Sequence, residues 1–393
     1  MTKAGSPSDQ PDRAAARPAR VLLVAGEASG DMHGSGVVRE LRRLAPGIET
    51  FGVGGDAMAA EGMRLVRHIR DVSFMGLVEV VRNLGTIRRL EADLRAALEP
   101  NAPDAAVLID YPGFNLRFAR FLKRKRVPIL YYISPQVWAW HKSRVKTMRG
   151  LVDQMNVVFP FEVEIYRREG VPVEFVGHPL AERIRTSEER ASFRSSLGVP
   201  GGGRLLGLFP GSRLQEIERI FPVMLDAARL VRKRTGAVVA VGVASNLGRE
   251  ALAAHCGQHP DVRLVEGHTY DLMSHADAGI VTSGTATLEM GWFGTPMAIV
   301  YRTSPVTYAV GRMLVDVPAI GLANIVAGQT VVPEFIQHRM TAESVASSVT
   351  RMLDDAAYRE EMIRGLSVIR GRLGEPGASG RVAANVLRLM GRG

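Results

Sequence analysis

Short, continuously apolar segments alternate with longer amphipathic segments along most of this chain. The clearest short segments are VLLVA at residues 21–25, AAVLI at 105–109 and ILYYI at 129–133. Apolar segments of this length are typical of strands buried on both faces, and such strands occur in parallel sheets covered by helices. After the first segment, Val38 and Leu41 lie at helical spacing. The alternation therefore predicts an α/β fold with a doubly wound parallel sheet.

The alternation stops near residues 180–203 and then starts again. Further apolar strands are predicted at 205–209, 237–243, 262–265, 279–281 and 297–301. In a chain of 393 residues, this second set predicts two doubly wound domains that face each other across a cleft. The predicted division is a disordered tail at residues 1–19, α/β domains at 20–183 and 184–355, and helices at 356–393.

Charge and cysteine content limit the class of partner and the compartment. Lys and Arg number 50 against 40 Asp and Glu, a net charge of +10, which points to nucleic acid or to an anionic membrane surface. Cys256 is the only cysteine, so an internal disulfide is excluded, as fits a reducing cytoplasm. No apolar run approaches the ~18 residues of a membrane span, and residues 1–19 lack the apolar stretch of a secretory signal.

Three loops share one form, in which Gly, Ser or Thr residues join an apolar strand to a helix: residues 26–31, 210–213 and 283–289. Backbone N–H groups at such a helix start favour an anion. None of the loops carries a Walker or a G-x-G-x-x-G pattern, so a dinucleotide cofactor is not expected.

Two of these loops suggest contacts to a nucleotide. Glu289 lies one helical turn beyond Thr285, so it can offer a carboxylate to a vicinal diol such as a ribose. The alternative is a capped helix with Glu289 in solvent. Arg213 can neutralise a departing phosphate through a forked hydrogen bond, and its alternative is a surface salt bridge with Glu216 or Glu218.

Asp110 is the candidate for acid–base chemistry. It directly follows the buried strand at 105–109, at the end where open α/β sheets place reactive groups. The alternative is an aspartate that caps its own turn before Pro112. His33 and His178 could orient a substrate, although a single histidine more often packs or caps. The nine histidines show no metal-ligand spacing, so no metal site is expected.

Two basic amphipathic stretches locate the positive charge, at residues 74–98 and at 117–126. A helix of this kind suits an anionic bilayer, and the alternative is a core-facing helix with a solvated basic face. No nucleic-acid motif accompanies the charge, so nucleic acid is not expected as the partner. The residues predicted to contact membrane or acyl chains are Phe74, Met75, Leu77, Val78 and Val81.

Eight short motifs follow one another along the chain. They are VAGEASGD (24–31), MGLVEV (75–80), SPQVWAW (134–140), FPFE (159–162), VGHPL (176–180), PGSR (210–213), TSGTATLE (282–289) and NIVAGQTVVPE (324–334). Together they resemble the bacterial lipid-A-disaccharide synthase family over essentially the whole chain from Val21. Any one motif is weak, but the eight in this order are highly specific.

This resemblance implies a metal-independent, inverting GT-B glycosyltransferase without a cofactor. Its substrates would be UDP-2,3-diacylglucosamine and 2,3-diacylglucosamine 1-phosphate (lipid X), and its products the β-1',6-linked disaccharide and UDP. The N-terminal domain would hold the acceptor, the C-terminal domain would hold UDP, and the last helix would cross back to the N-terminal domain. The resemblance also implies catalytic roles for Asp110 and Arg213. The implied substrate- and nucleotide-binding residues are Ser29, Gly30, Asp31, Gly211, Ser212, Ser283, Gly284, Thr285, Glu289, Asn324 and Gln329.

One motif departs from the family pattern. Many relatives carry a second acid in D-x-P-D-F-N, whereas this chain has the sequence DYPGFN at residues 110–115. Gly113 cannot accept a proton, which leaves Asp110 as the only carboxylate of the motif.

We expect a cytoplasmic protein attached peripherally to the inner membrane through apolar contact and anionic lipid. The oligomeric state stays open, with a homodimer as one alternative. The rival functions are another UDP-sugar GT-B enzyme, such as a peptidoglycan-type glucosaminyltransferase or a UDP-sugar 2-epimerase, and a non-catalytic protein that binds a nucleotide or a lipid.

Overall fold

The computed structural model describes residues 17–71, 84–99, 101–135, 137, 144–244, 247–257, 259, 261–304, 308 and 319–391. The strands are β1 (Arg20–Ala25), β2 (Glu49–Gly54), β3 (Arg64–His68), β4 (Ala105–Ile109), β5 (Ile129–Tyr132), β6 (Gln154–Val157), β7 (Val173–Phe175), β8 (Leu205–Phe209), β9 (Val238–Gly242), β10 (Val262–Val265), β11 (Ala278–Thr282), β12 (Met297–Tyr301) and β13 (Glu334–Ile336).

The α-helices in the described ranges are α1 (Ala28–Leu44), α2 (Asp56–Ala60), α3 (Leu84–Leu98), α4 (Pro112–Arg124), α5 (Arg144–Met148), α6 (Pro160–Arg168), α7 (Arg190–Ser196), α8 (Leu214–Thr235), α9 (Arg249–Cys256), α10 (Thr269–His275), α11 (Thr285–Trp292), α12 (Leu322–Ala327), α13 (Ala342–Asp354), α14 (Ala356–Leu373) and α15 (Ala378–Leu389). Short 3-10 turns occupy Ile69–Asp71, Pro179–Glu182 and Gln337–Arg339.

The strands form two sheets. One has seven strands in the order β3-β2-β1-β4-β5-β6-β7, and the other has six in the order β10-β9-β8-β11-β12-β13. The strand pairs with a described register are parallel, among them β1 with β4 and β8 with β11. Strands β1, β4, β8 and β11 are buried along their whole length, as strands covered by helices on both faces must be. The predicted α/β fold with two doubly wound sheets is therefore confirmed.

Spatial contacts divide the chain into two units. The first contains the chain up to Pro135, Met148–Asn156 and the end of the chain from Ser379, and the second contains Gln136–Thr147 and Val157–Ala378. Each unit is built from more than one segment of the chain, so the division differs from the boundaries expected at residues 183 and 355.

The last helix, α15, belongs to the first unit although it ends the chain. Its residues Val382, Ala383 and Val386 are fully buried. A Cβ added at Gly380 would lie 3.7 Å from a carboxylate oxygen of Glu40, which places α15 beside α1. The return of the final helix to the N-terminal part of the chain, implied by the family resemblance, is thus present.

The basic segment at 117–126 lies mostly in α4. Phe118 and Leu122 are fully buried, while the six Lys and Arg residues of the segment are exposed. The guanidinium of Arg95 lies 4.6 Å from the centre of the Phe121 ring and covers it. The segment is therefore a core-facing helix with an exposed basic face, and contact of that face with a membrane stays a prediction.

The predicted membrane contacts at Phe74, Met75, Leu77, Val78 and Val81 lie outside the described residues. Among the helices that are described, none combines the length and the apolar character that crossing a bilayer requires.

Candidate active site

In the first unit, a strained turn joins β4 to α4. Asp110 and Tyr111 have φ angles of 45° and 46°, in the left-handed region that residues with a Cβ rarely adopt. Pro112 then begins α4, where its fixed φ and missing N–H suit the first helical position. The turn places the Asp110 carboxyl at the carboxyl end of the sheet, as the sequence predicts.

The surroundings of Asp110 favour its protonated form. Burial, and then the negative charge of Glu27, raise the pKa of Asp110 to about 6, and a hydrogen bond from the backbone N–H of Tyr111 partly opposes the rise. The bond to Tyr111 is the local capping expected in the alternative interpretation. A carboxyl with this pKa can act as a general base near neutral pH, so the capping does not exclude the catalytic role of Asp110, which stays a prediction.

Two residues of the first glycine loop shape the surroundings of Asp110. The register pairs Ala25 with Ile109, so the residues that follow these strands lie side by side. An added Cβ at Gly26 would lie 2.2 Å from Cγ of Tyr111, so the Tyr111 ring rests on the glycine backbone. Gly26 is therefore required by packing, and Glu27 is a site residue that the sequence analysis missed.

The predicted binding residues of α1 have different surroundings. Ser29 is exposed, whereas Gly30 packs on β1, because an added Cβ there would lie 3.2 Å from Cβ of Ala25. The buried carboxylate of Asp31 accepts hydrogen bonds from the backbone N–H groups of three residues at the start of α2, namely Gly55, Ala57 and Met58. The structure thus gives the Asp31 side chain a scaffolding role, and its contact with a substrate stays a prediction.

His178 begins the 3-10 turn at Pro179–Glu182. Its Nδ1 accepts a hydrogen bond from the Leu180 N–H at 3.1 Å, and its ring packs on Phe159. Burial lowers the pKa of His178 to about 4, so the ring is neutral at physiological pH. It is a capping histidine, as the alternative interpretation proposed.

In the second unit, the order of the sheet brings two glycine loops together. Strand β11 lies between β8 and β12, and all three end at the same edge. Gly211 has a φ of 104°, and an added Cβ would lie 3.6 Å from Cγ2 of Thr282. Gly211, Ser212 and Arg213 therefore adjoin the loop that contains Ser283, Gly284 and Thr285.

Arg213 takes part in a local ion pair. Its guanidinium lies 2.9 Å from Oε1 of Glu216, with the arginine side chain 55% exposed. The salt bridge expected in the alternative interpretation is therefore present. At the end of β12, burial and the Glu216 carboxylate raise the pKa of Tyr301, while Arg213 and Arg219 lower it, so a mixed set of charges surrounds this phenol.

Glu289 is not a solvated first-turn residue. It is half-buried, and the hydroxyl of Tyr270 donates to its Oε1 at 3.2 Å. Burial raises the pKa of Glu289, whereas the hydrogen bond from Tyr270 and the positive charge of Arg183 lower it. Tyr270 and Arg183 are distant in sequence, and no motif pointed to them.

The side chain of Asn324 is saturated with hydrogen bonds. It donates to the Val332 carbonyl and to Glu334, and it accepts from the backbone N–H groups of Val331 and Val332. Glu334 in turn accepts from the N–H groups of residues 320 and 321. Asn324 thus holds the loop in place, while Gln329 is exposed on that loop. A nucleotide contact of either residue stays a prediction.

Among the described residues, no group of three or more His, Cys, Asp and Glu side chains could hold a metal ion.

The raised pKa of Asp110 makes stability depend on pH. Between about pH 4 and pH 6 the unfolded chain releases this proton while the folded chain retains it, so the free energy of unfolding falls as pH rises. We expect Asp110→Asn to exceed the original chain in stability at pH 8 by on the order of 1–3 kcal/mol, and to match it at pH 3.5. Urea unfolding at the two pH values measures the difference.

The exposed Asp226, on α8, gives the control Asp226→Asn. Equal stability of Asp110→Asn and the original chain at pH 8 would contradict the raised pKa.

Comparisons with known proteins identify the family. A sequence profile of the family described as "Lipid-A-disaccharide synthetase" matches residues 21–369. Lipid-A-disaccharide synthase from Geobacter sulfurreducens is 46% identical over 375 residues, which are 95% of this chain and 98% of that protein. The protein of that name from Myxococcus xanthus is 43% identical over the same shares of both chains.

Solved structures share the fold at low sequence identity. UDP-GlcNAc 2-epimerase from Neisseria meningitidis has a TM-score of 0.64 and 14% identity, over 94% of this chain and 100% of that one. The kitacinnamycin glycotransferase has a TM-score of 0.65 and 15% identity, over 95% of this chain and 100% of that one. These likenesses concern the fold, whereas the profile and the relatives cover sequence along nearly the whole chain. The chain belongs to the lipid-A-disaccharide synthase family.

Proposed function

We propose that this chain transfers 2,3-diacylglucosamine from UDP to the 6-hydroxyl of 2,3-diacylglucosamine 1-phosphate, forms the β-1',6 linkage and releases UDP. Relatives named for lipid A disaccharide synthesis cover nearly the whole chain, and this observation carries the proposal. The site supports it, because a carboxyl with a pKa of about 6 ends one sheet and paired glycine loops end the other. The fold shared with UDP-GlcNAc 2-epimerase leaves epimerisation as the rival, although 14% identity supports only the fold.

In the proposed reaction, the acceptor oxygen attacks the anomeric carbon of the donor. Its proton passes to the Asp110 carboxylate, a new C–O bond forms, and the bond from the anomeric carbon to the diphosphate breaks. The electron pair of that bond leaves with UDP, and the configuration inverts. A base of this kind contributes about 10²–10⁴-fold in rate, and its pKa of about 6 keeps most of it ionised at neutral pH.

The glycine loops of the second unit are proposed to bind the diphosphate. The first turns of α8 and α11 offer backbone N–H groups to an anion. Arg213 now pairs with Glu216, but an ion pair this exposed contributes only about 0–1 kcal/mol. The guanidinium can therefore turn to the diphosphate and stabilise the charge that builds on it.

Glu289 is proposed to bind the ribose. The Tyr270 hydroxyl bonds to its Oε1, which orients the carboxylate and leaves Oε2 to accept from a ribose hydroxyl. Burial strengthens such a bond relative to one in water.

The decisive experiment supplies UDP-2,3-diacylglucosamine and lipid X to the purified protein and measures UDP release and product mass. We expect kcat/KM to fall below about pH 6 as Asp110 is protonated. We expect Asp110→Asn to lower kcat by about 10²–10⁴-fold, because the proton then has no acceptor.

The control Asp226→Asn should retain the original kcat. Near-original turnover by Asp110→Asn would refute the assignment of the base, and absence of the disaccharide with the original protein would refute the function.

Glu289→Gln tests the ribose contact. We expect KM for the UDP-linked donor to rise by about 10-fold with little change in kcat, since the lost interaction is made equally in ground and transition states. Calorimetry with UDP alone should show the same loss of affinity. Glu250→Gln, at an exposed position of α9, is the control, and a fall in kcat at unchanged KM would exclude the ribose role.

We also propose that the protein binds peripherally to an anionic membrane. The net charge of +10 and the exposed cations of the 117–126 segment support an electrostatic contribution. We expect the protein to sediment with phosphatidylglycerol vesicles at low salt, to do so less at 0.5 M salt, and to stay in solution with phosphatidylcholine vesicles. Equal sedimentation under all three conditions would exclude that contribution.

A further inference from the structure

The peptide that joins Asp110 to Tyr111 is held by two buried side chains. Its carbonyl oxygen accepts a hydrogen bond from the Tyr131 hydroxyl at 2.6 Å and another from Asn115 Nδ2 at 2.8 Å. Tyr131 and Asn115 are both fully buried, so water does not compete for these bonds. Tyr131 reaches the turn from the neighbouring strand β5, and Asn115 reaches it from the first turns of α4.

The two bonds stabilise a backbone conformation that is unfavourable by itself. Asp110 and Tyr111 are left-handed although both carry a Cβ, so the turn relaxes unless other groups hold it. Asn115 contributes two further bonds, since its side chain also donates to the Ile109 carbonyl at 3.2 Å and its backbone N–H donates to the Tyr111 carbonyl at 3.0 Å. Residues outside the turn thus determine its geometry.

The held peptide also acts on the carboxylate. Its carbonyl belongs to Asp110 and its N–H to Tyr111, and the two groups move together because the peptide is planar. That N–H donates to the Asp110 carboxylate and lowers its pKa. The bonds to the Asp110 carbonyl fix the backbone from which the Asp110 side chain extends, and through the planar peptide they also fix the direction of the Tyr111 N–H.

We propose that Tyr131 and Asn115 are positioning residues for proton transfer, which hold the Asp110–Tyr111 peptide so that the carboxylate of Asp110 is aimed at the acceptor hydroxyl. This inference rests on the proposed function, in which Asp110 is the base. Tyr131 and Asn115 act through Asp110 and do not touch the substrate.

Tyr131→Phe is the direct test, because it removes one hydroxyl and keeps the ring. We expect kcat to fall by about 10-fold to 100-fold, with KM for the UDP-linked donor within about 2-fold of the original. We also expect the acidic limb of the rate profile to move to higher pH, since a loosened peptide no longer directs its N–H at the carboxylate. Asn115→Leu, which removes the amide at similar volume, should act in the same direction.

The double variant Asp110→Asn/Tyr131→Phe separates positioning from a general loss of structure. If Tyr131 acts only through Asp110, the second substitution lowers kcat no further. Tyr166→Phe, which removes the hydroxyl of a buried tyrosine in α6, is the matched control and should leave kcat and the pH profile unchanged. An unchanged kcat and pH profile in Tyr131→Phe would overturn the proposal. The proposal would also be overturned if Tyr131→Phe lowered kcat by the same factor in the Asp110→Asn variant as in the original protein.

A readout without substrate keeps this inference separate from the proposed function. Carbon-13 NMR of the aspartate carboxyls follows the titration of Asp110, assigned by its absence in Asp110→Asn. A higher titration midpoint in Tyr131→Phe supports the positioning role even where the original protein makes no disaccharide, and an unchanged midpoint refutes it. Absence of product from the original protein refutes the function alone.

Discussion

Parallel pairing of buried strands is the constraint on which the rest of the structure depends. In a parallel sheet every carboxyl end meets the same edge, so loops distant in sequence become neighbours. The pairing of Ala25 with Ile109 sets Glu27 beside Asp110, although more than eighty residues separate them. In the second unit the same constraint sets Gly211 against Thr282. Strand order therefore determines which loops meet at each candidate site.

Two carboxylates of the first unit, Asp31 and Asp110, have opposite surroundings. Asp31 accepts three backbone N–H bonds and stabilises the loop that supplies them. Asp110 has a nearby negative charge and a single opposing bond, and its pKa rises to about 6. The arrangement at Asp110 lowers the free energy of unfolding at neutral pH, and perturbed carboxyls of this kind cluster at functional sites. Strain in the turn at Asp110 and Tyr111 adds to this loss of stability and is offset by Tyr131 and Asn115.

Much of the framework could be predicted from the sequence, because buried parallel strands are continuously apolar. Strand β2 was missed, since its sequence ETFGVG contains glycines that lower strand propensity. Gly52 is needed there, because an added Cβ would lie 2.0 Å from the Leu23 carbonyl oxygen. The need for glycine at this position comes from the neighbouring strand β1, so the sequence around Gly52 does not reveal it.

The places of the candidate residues in the fold could be predicted from the sequence, but their hydrogen bonds could not. Asp110 and Glu289 lie where the strand ends and the helical spacing put them. The partners of Glu289, Tyr270 and Arg183, come from other segments of the chain, so spacing alone could not find them. Arg213 with Glu216 was foreseeable as a local pair, whereas the saturated amide of Asn324 depends on a loop closing over it.

The place of α15 has a consequence for how the protein is made. Val382, Ala383 and Val386 complete the core of the unit that contains the chain's first strands. These residues are synthesised after the whole of the second unit, so the amino-terminal unit cannot finish packing while the second unit is still being translated. A nascent chain interrupted before residue 378 would keep an uncovered apolar surface, and such surfaces attract chaperones and promote aggregation. The second unit, in contrast, has been synthesised completely once the ribosome has translated Ala378.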